Sequence, residues 1–371
     1  MPQIYELLGF PVSDNSPKTI ASRKKAFCPF MNTTCDGGGN RFMSEISVEG
    51  HPELKDFFNG MSKVPSGICS IQLTPNTSPW IICPRRLLYM GNKADKKTLL
   101  GSTQSRLFDI CNFAPNSRVG VWAETKVKYI GENLTEDNAS FDYTFDYVLC
   151  RLGRVSLKEA SNLTGLSEKE LKSKLLAAGH TLALVNDVLT VENFPVGAPF
   201  IIEVMTSSTS GGNKKIRSCI PQAFEDCILG KDHLAPGINY RQVWARMASQ
   251  MIVKSQAAIE WGGSTIWVLQ DLLANYISSS TALDLNRFIA KKLSEVNILA
   301  FSYSDKYKTP KEESPIELSD NTLFSGPIRP YINEDRVPPS FQDIVLASVC
   351  PPKSVLLAAL CKKNISNIIH L

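Results

Sequence analysis

The chain has 371 residues, of which 43% are apolar, 20% charged and 9% aromatic, a composition typical of a globular protein with a sizeable core. At about 100 to 200 residues per domain, this length predicts two or three structural units. The net charge of +4, from 40 Lys and Arg against 36 Asp and Glu, excludes a strong overall basic field. A local basic groove stays compatible with it.

The N-terminal segment carries no export signal. Residues 1–20 lack the basic start and the apolar core of a signal peptide, and no run approaches the roughly 18 apolar residues of a membrane span. These features predict a cytoplasmic protein without a membrane partner. The ten cysteines are then not expected to form disulfides, because the cytosol keeps thiols reduced.

Four of the cysteines lie near the start of the chain, in the order Cys28, Cys35, Cys69 and Cys83, within "FCPFMNTTC", "GICSIQL" and "WIICPRRLL". Two occur at expected turns and two at expected strand ends, so they could converge as a tetrahedral thiolate site. We therefore predict a metal-binding region over residues 1–115. The alternative is four unligated, buried thiols.

Two strands and a polar turn follow residue 118. Val119 to Tyr129 and Phe141 to Leu149 alternate in the way that half-buried strands do. This hairpin-like unit carries three candidate acids, Glu124, Asp142 and Asp146.

Residues 155–178 change to a helical period. Gly165 ends one short helix, and Ser167 with Glu170 forms a capping box for a second. With the strand-like residues that follow, this gives a helix-turn-helix-like insert over residues 151–195. It could read DNA or serve only for packing or protein contacts; the lysines concerned are Lys169, Lys172 and Lys174.

The next strand, Ile201 to Met205, carries one carboxylate, Glu203. Glu203 either lies on a solvated face or edge, or it is a metal ligand at the end of a strand buried on both sides. A loop with Lys214 and Lys215 follows. A long helix then places Gln250 and Lys254, four residues apart, in one direction.

The remaining residues predict a strand and helix over 264–277, a surface loop or linker over 303–327, and amphipathic helices near 338–350 and 352–371. The predicted fold class is α/β, with a central mixed sheet flanked by helices. We divide it into a metal-binding region (1–115), a core (116–300) and a linker with a C-terminal helical segment (301–371).

The order of acidic hairpin, Glu203 strand, lysine loop and Lys254 helix is that of a restriction-endonuclease-like core. In such a core, an Asp and a Glu from neighbouring strands hold Mg²⁺ beside the scissile phosphate. A cation or polar group orients the attacking water and offsets transition-state charge.

The motifs "CPF", "GIC", "WIICPRRLL", "TFDYVL", "IIEVMT" and "SQMIVK" occur in one order over residues 25–275. In this order the chain resembles the NotI family of type II restriction endonucleases, which have PD-(D/E)XK-like nuclease cores. The resemblance implies a homodimeric, Mg²⁺-dependent enzyme that cuts a palindromic, GC-rich site in double-stranded DNA. It also implies a partner DNA methyltransferase in a restriction-modification system.

Residue by residue, the resemblance makes Asp146 and Glu203 the Mg²⁺ ligands and Glu124 a further acid near the site, with Asp142 as the alternative to Asp146. It also implies a structural iron site; the thiolates are Cys28, Cys35, Cys69 and Cys83. Four thiolates by themselves suit iron or zinc.

The chain departs from the family at Met205, where the family has a polar residue two positions after the Glu. Methionine cannot hydrogen-bond a water strongly, so Lys254, Gln250 or Lys214 would have to supply that function. If none does, the protein is a sequence-specific DNA-binding protein with an inactivated nuclease core. In a third reading, the cysteines and Glu203 are structural in an unrelated enzyme, and the carboxylates lie far apart.

Overall fold

The structure is a computed structural model that describes residues 1–39, 45–49, 51–91, 101–130, 140–280, 284–303, 311–329, 340–341 and 351–370. The helices are α1 (Pro17–Lys24), α2 (Pro52–Phe57), α3 (Pro84–Leu87), α4 (Ser102–Cys111), α5 (Leu157–Thr164), α6 (Glu168–Ala177), α7 (Ile220–Ile228), α8 (Tyr240–Glu260), α9 (Asp271–Ser280) and α10 (Lys353–Cys361).

The strands of the N-terminal region are β1 (Gln3–Leu7), β2 (Phe10–Pro11), β3 (Phe27–Cys28), β4 (Thr33–Thr34), β5 (Glu45–Ser47), β6 (Lys63–Pro65), β7 (Ile68–Gln72) and β8 (Trp80–Ile81). Those of the rest of the chain are β9 (Arg118–Ile130), β10 (Ser140–Ser156), β11 (Leu182–Val185), β12 (Val188–Met205), β13 (Ser264–Gln270), β14 (Val296–Tyr303), β15 (Leu318–Gly326) and β16 (Asn367–His370).

One large mixed sheet forms the centre of the molecule, in the order β15-β14-β13-β12-β10-β9-β16, with β11 paired to β12. β12, β13 and β14 run parallel, and the remaining pairs are antiparallel. Helices cover both faces. The predicted α/β class with a central mixed sheet flanked by helices is therefore confirmed.

The middle of this sheet is buried on both sides. All seven residues of β13, "STIWVLQ", are buried, which is the pattern of a central parallel strand rather than of a one-sided strand. Residues of α8 and α9, such as Met247 and Leu273, pack on one face. Leu107 and Phe108 of α4 pack on the other.

The N-terminal region forms a second, four-stranded sheet, in the order β2-β1-β7-β8. Its core is not built from the first 115 residues alone, because Ile220 and Phe224 of α7 pack into it. The Gln270 side chain joins it to the end of β13. That amide accepts from the Ile81 N–H at 2.8 Å and donates to the Pro79 carbonyl at 2.7 Å.

The insert contains the two helices that the sequence predicts. Ser156 and Ser167 cap α5 and α6 by accepting from backbone N–H groups three residues later, and Gly165 ends α5 in the left-handed conformation. The strand-like residues after α6 form a hairpin of β11 and β12. Its turn is Asn186-Asp187, both at positive φ, as a two-residue hairpin turn requires.

The C-terminal helix α10 completes this insert. Leu357 and Cys361 are buried against Leu157 of α5 and against Leu171 and Leu175 of α6. The insert is thus a three-helix cluster with a β-hairpin, assembled from two distant parts of the chain. It is continuous with the central sheet, because β10 and β12 extend from one into the other.

The expectation of a loop or linker over residues 303–327 is wrong for its second half. Residues 318–326 form β15, which pairs with β14 at the sheet edge, and Leu318, Leu323 and Phe324 are buried. The many polar residues of this segment made its few apolar residues, which β15 buries, hard to recognise as a strand pattern. The predicted helix near 338–350 falls almost entirely outside the described residues. No helix within the described ranges is long and apolar enough to cross a membrane.

Candidate active site

Two neighbouring strands bring the principal carboxylates together. In the β10–β12 register Tyr147 pairs with Ile202, so Asp146 lies opposite Glu203. An oxygen of Asp146, Oδ2, accepts a hydrogen bond from the Val204 N–H at 2.8 Å. The reading in which these carboxylates are far apart is therefore wrong.

The β-strands are irregular where Asp146 lies. Phe145 and Val148 pack in the same hydrophobic cluster, although residues three apart in a regular strand face opposite sides. The register places Asp146 opposite Glu124, and Glu124 has a φ of 49°, which a non-glycine residue rarely adopts. Such irregularities re-aim side chains in sheets and are common beside functional sites.

Glu203 forms a buried ion pair with Lys254 of α8. Their side chains are 2% and 4% exposed, and Lys254 Nζ donates to Glu203 Oε2 at 2.6 Å and to the Thr144 carbonyl at 2.8 Å. The Lys254 ammonium also lies 5.4 Å from the centroid of the Phe145 ring. Glu203 therefore does not lie on a solvated face or edge of the sheet, because it is buried.

Burial raises the pKa of Glu203 to about 8, although the Lys254 ammonium opposes this shift and the Asp146 carboxylate adds to it. The pKa of Asp146 is also raised, again because of burial, against the lowering effects of the Val204 N–H, Lys254 and Arg85. Two carboxyl groups whose pKa values are raised side by side mark a place where added positive charge would be favourable.

One oxygen of this pair has no protein partner. Glu203 Oε1 is buried, and the described residues offer it no hydrogen bond. A buried carboxylate oxygen is costly to leave unpaired. Asp146 and Glu203 together therefore fit Mg²⁺, which binds proteins through one or two carboxylates and fills its other positions with water or phosphate oxygens.

The rim of the site is formed by Glu124 and Arg85. Glu124 is mostly exposed, and its carboxylate lies 3.8 Å from the Arg85 guanidinium. Its charge contributes to the raised pKa of Asp146. Glu124 is thus near the acidic pair, where the sequence places it, and lies on the solvent side.

The other sequence candidates are separate from the pair. Asp142 is on the surface, with Lys126 and Lys128 each 3.2 Å away. Desolvation raises its pKa, but the hydrogen bonds from these two lysines and their charges together outweigh it, so the pKa is lowered. Asp146, not Asp142, is the Asp beside Glu203. Gln250 is half-buried one turn before Lys254, and Lys214 is exposed in the following loop.

Met205 lies two residues after Glu203 in β12, on the face of the sheet that α8 covers. It packs against the cluster formed by Met247, Met251 and Trp267 between α8 and the sheet. The cation beside Glu203 is Lys254 of this helix.

The four N-terminal cysteines lie together. Cys28, Cys35, Cys69 and Cys83 line one enclosed cavity of about 10 Å³. The Gly9 N–H donates to Cys69 Sγ at 3.3 Å, and the Gly37 N–H donates to Cys35 Sγ at 3.4 Å.

The electrostatics of the cysteines differ between the four. The pKa of Cys83 is lowered because the Cys69 thiol and the N–H groups of Arg86 and Arg85 donate hydrogen bonds to it. Burial raises the pKa of Cys28 to about 11. Convergence of the sulfurs and N–H donation to them suit thiolate ligands. In the described part of the chain, however, no three His, Cys, Asp or Glu side chains are arranged to hold a metal as they stand.

Arg85 is the site residue that the sequence analysis missed. Its signal was the pair of arginines directly after Cys83 in "CPRRLL". The two have different roles, because Arg86 is buried against Glu6 at 2.9 Å, whereas Arg85 reaches toward the acidic pair. Residue type and spacing could not distinguish them.

Comparison of the chain with protein-family models, with curated proteins and with solved structures found no match in any of the three. The functional assignment therefore depends on the geometry of the site itself.

Proposed function

We propose that this protein is a Mg²⁺-dependent endonuclease that hydrolyses phosphodiester bonds of double-stranded DNA. The observation that carries the proposal is the buried Glu203–Lys254 pair beside Asp146, with no partner for Glu203 Oε1 in the described part of the chain. An acid pair on adjacent strands with a lysine at 2.6 Å provides metal ligands and a cation, the kinds of group that metal-assisted phosphodiester hydrolysis uses.

In this proposal Asp146 and Glu203 hold Mg²⁺. When bound, the ion lowers the pKa of a water and offsets charge on the phosphate. Lys254 orients the attacking water and offsets the negative charge that develops as water adds to phosphorus and the leaving oxygen departs. Glu124 lies at the rim of the site, and its carboxylate adds to the negative potential that would attract Mg²⁺.

The cysteine cavity supports a structural iron or zinc ion held by Cys28, Cys35, Cys69 and Cys83. Four thiolates with N–H donors stabilise either metal in a tetrahedral site. Such an ion would fix the N-terminal region, which contacts the ends of β12 and β13. Its role in the proposal is structural, with no redox step.

The resemblance to the NotI family supports a palindromic, GC-rich target, a homodimer and a partner methyltransferase. A two-fold target favours a two-fold dimer, because each protomer then meets the same half-site. The insert, with Lys169, Lys172 and Lys174, adds a candidate DNA-contacting surface.

The test is to incubate the purified protein with bacteriophage DNA in Mg²⁺ or in EDTA, beside Asp146→Asn and Glu203→Gln. Discrete fragments that require Mg²⁺ and disappear in both variants are expected. Circular dichroism checks that the variants are folded. Fragments that persist in either variant would exclude its carboxylate as a required ligand.

The second candidate is a sequence-specific DNA-binding protein without cleavage. It is favoured by the three-helix cluster with its hairpin, in which α10 packs on α5 and α6, because a helix-turn-helix-like pair can place one helix in the major groove. It predicts duplex binding in EDTA together with intact DNA in every Mg²⁺ lane.

A further inference from the structure

We propose that Arg85 is the phosphate-binding cation of this site, and that the segments around Cys35 and Cys83 hold it there. The inference deepens the proposed function and rests on it for the claim that the bound phosphate is the scissile one. Arg85 lines the cysteine cavity and also acts electrostatically on Asp146 of the acidic pair, two features that lie far apart in the sequence.

The accessibility of the two cations near the acidic pair distinguishes them. Lys254 and Arg85 are the cations that act electrostatically on Asp146 in the described residues. The Lys254 side chain is 4% exposed and already bound to Glu203, whereas the Arg85 side chain is 21% exposed. A phosphate that approaches Asp146 from solvent therefore meets Arg85 first.

Arg85 retains donors for a ligand. Its Nε donates to Asp36 Oδ2 at 3.0 Å, which fixes one edge of the guanidinium. The other end is 3.8 Å from Glu124, too long for a good hydrogen bond. A guanidinium with one edge anchored and the other loosely held can bind a phosphate through two parallel N–H groups.

The anchor of Arg85 is attached to the cysteine cavity. Arg85 follows Cys83 by two residues, and Asp36 directly follows Cys35. The Arg85–Asp36 ion pair thus joins α3, which begins directly after Cys83, to the segment that carries Cys35. Arg85 itself lines the same cavity. When the residues that line this cavity are ordered, they therefore fix the direction in which the Arg85 guanidinium points, toward the acidic pair.

The test compares Arg85→Gln and Arg85→Lys with the wild-type protein and with Arg106→Gln as a matched control. Arg106 is also partly buried and bonds a neutral partner, Asn321, at 2.8 Å. It lies on α4 beside β15, and three strands of the sheet separate β15 from β10.

The first readout is the salt dependence of binding to a short DNA duplex in EDTA, which does not depend on cleavage. Loss of one phosphate contact lowers the slope of log K against log salt by about 0.9. We expect this change in Arg85→Gln, a wild-type slope in Arg106→Gln, and a retained slope in Arg85→Lys because its charge remains.

The second readout is the single-turnover cleavage rate in Mg²⁺. We expect a loss of about 10²-fold in Arg85→Gln, with a smaller loss in Arg85→Lys. If the wild-type protein cleaves and Arg85→Gln keeps both its slope and its rate, the inference is overturned. If the wild type does not cleave but the slope changes, Arg85 binds phosphate and the nuclease proposal fails. Melting temperatures identify any variant that is unfolded.

Discussion

Glu203 lies in an environment unlike that of an ordinary, exposed carboxylate. It is buried beside a second acid, Asp146, and one cation, Lys254, and its Oε1 has no hydrogen-bond partner among the described residues. The protein thus keeps an ionisable carboxyl group where burial disfavours its charged form. This is a cost that a purely structural strand would not carry, and it has a measurable consequence.

In the absence of metal, the protein should lose stability as pH rises. The pKa of Glu203 is about 8 in the folded protein, against an ordinary value of 4.5. Between these values the folded protein binds one more proton than the unfolded chain, so its free energy of unfolding falls with rising pH. Urea denaturation in EDTA at several pH values should show this decline relative to Glu203→Gln. A constant difference between the two proteins would contradict it.

Lys254→Met should remove cleavage while leaving the protein folded. Methionine keeps much of the apolar volume, but it cannot orient water or offset charge, so we expect the single-turnover rate to fall by roughly 10²- to 10³-fold. DNA binding in Ca²⁺ should change much less. The matched controls are Gln250→Leu and Lys214→Ala, and a larger loss in either one would transfer the role of Lys254 to that residue.

At the scale of elements, the insert depends on a helix about 190 residues further along the chain. Leu357 and Cys361 of α10 fill the space between α5, α6 and β12. A pair of helices as short as α5 and α6 is marginal without such packing. The insert and the C-terminal segment therefore form one structural unit.

Leu357→Asp should unfold this unit before the central sheet. The substitution places a charge in an apolar cluster, and we expect a loss of about 3 kcal/mol or more in the stability of the unit. Hydrogen exchange should show loss of protection in α5 and α6 first. Lys172→Ala, at an exposed position of α6, is the control that should leave protection unchanged. Equal loss of protection throughout the sheet would contradict a separate unit.

The strand irregularity at Asp146 also belongs to this scale. A regular β9–β10 hairpin follows from the alternation of the sequence, and the structure contains it. The positive φ of Glu124 and the changed facing of Phe145 and Val148 do not follow from that alternation.

At the scale of the whole molecule, the N-terminal region is docked at the ends of β12 and β13, beside the acidic pair. Gln270 holds Pro79 and Ile81, and the Ser207 N–H donates to the Ile81 carbonyl at 3.1 Å. Disorder in the segments that carry the four cysteines should therefore displace the side chains of Arg85 and Asp146.

Removal of the metal proposed for the cysteine cavity should destabilise the protein. We expect metal analysis of the protein as purified to find about one iron or zinc per chain, and a strong chelator to lower the melting temperature. Cys28→Ser should lose this metal. Cys111→Ser, which changes a buried cysteine outside the cavity, should keep it. Full stability and no bound metal in the wild type would leave the four cysteines as buried thiols.

The sequence by itself determined the local structure and the chemistry that is available. Apolar periodicity and capping residues predicted α5, α6, the β9–β10 hairpin and the Glu203 strand, because each depends on neighbours within a few residues. The order of the motifs also indicated that Asp146 or Asp142 would lie near Glu203, with Lys254, Gln250 or Lys214 as the polar group beside them.

The tertiary structure decided what depends on distant parts of the chain. It placed Asp146 rather than Asp142 beside Glu203, made Lys254 the ion-pair partner of Glu203, and packed α10 into the insert. It also turned Arg85 toward the site and Arg86 into the core. These outcomes depend on strand register, burial and long-range packing, and none of these is expressed in local periodicity.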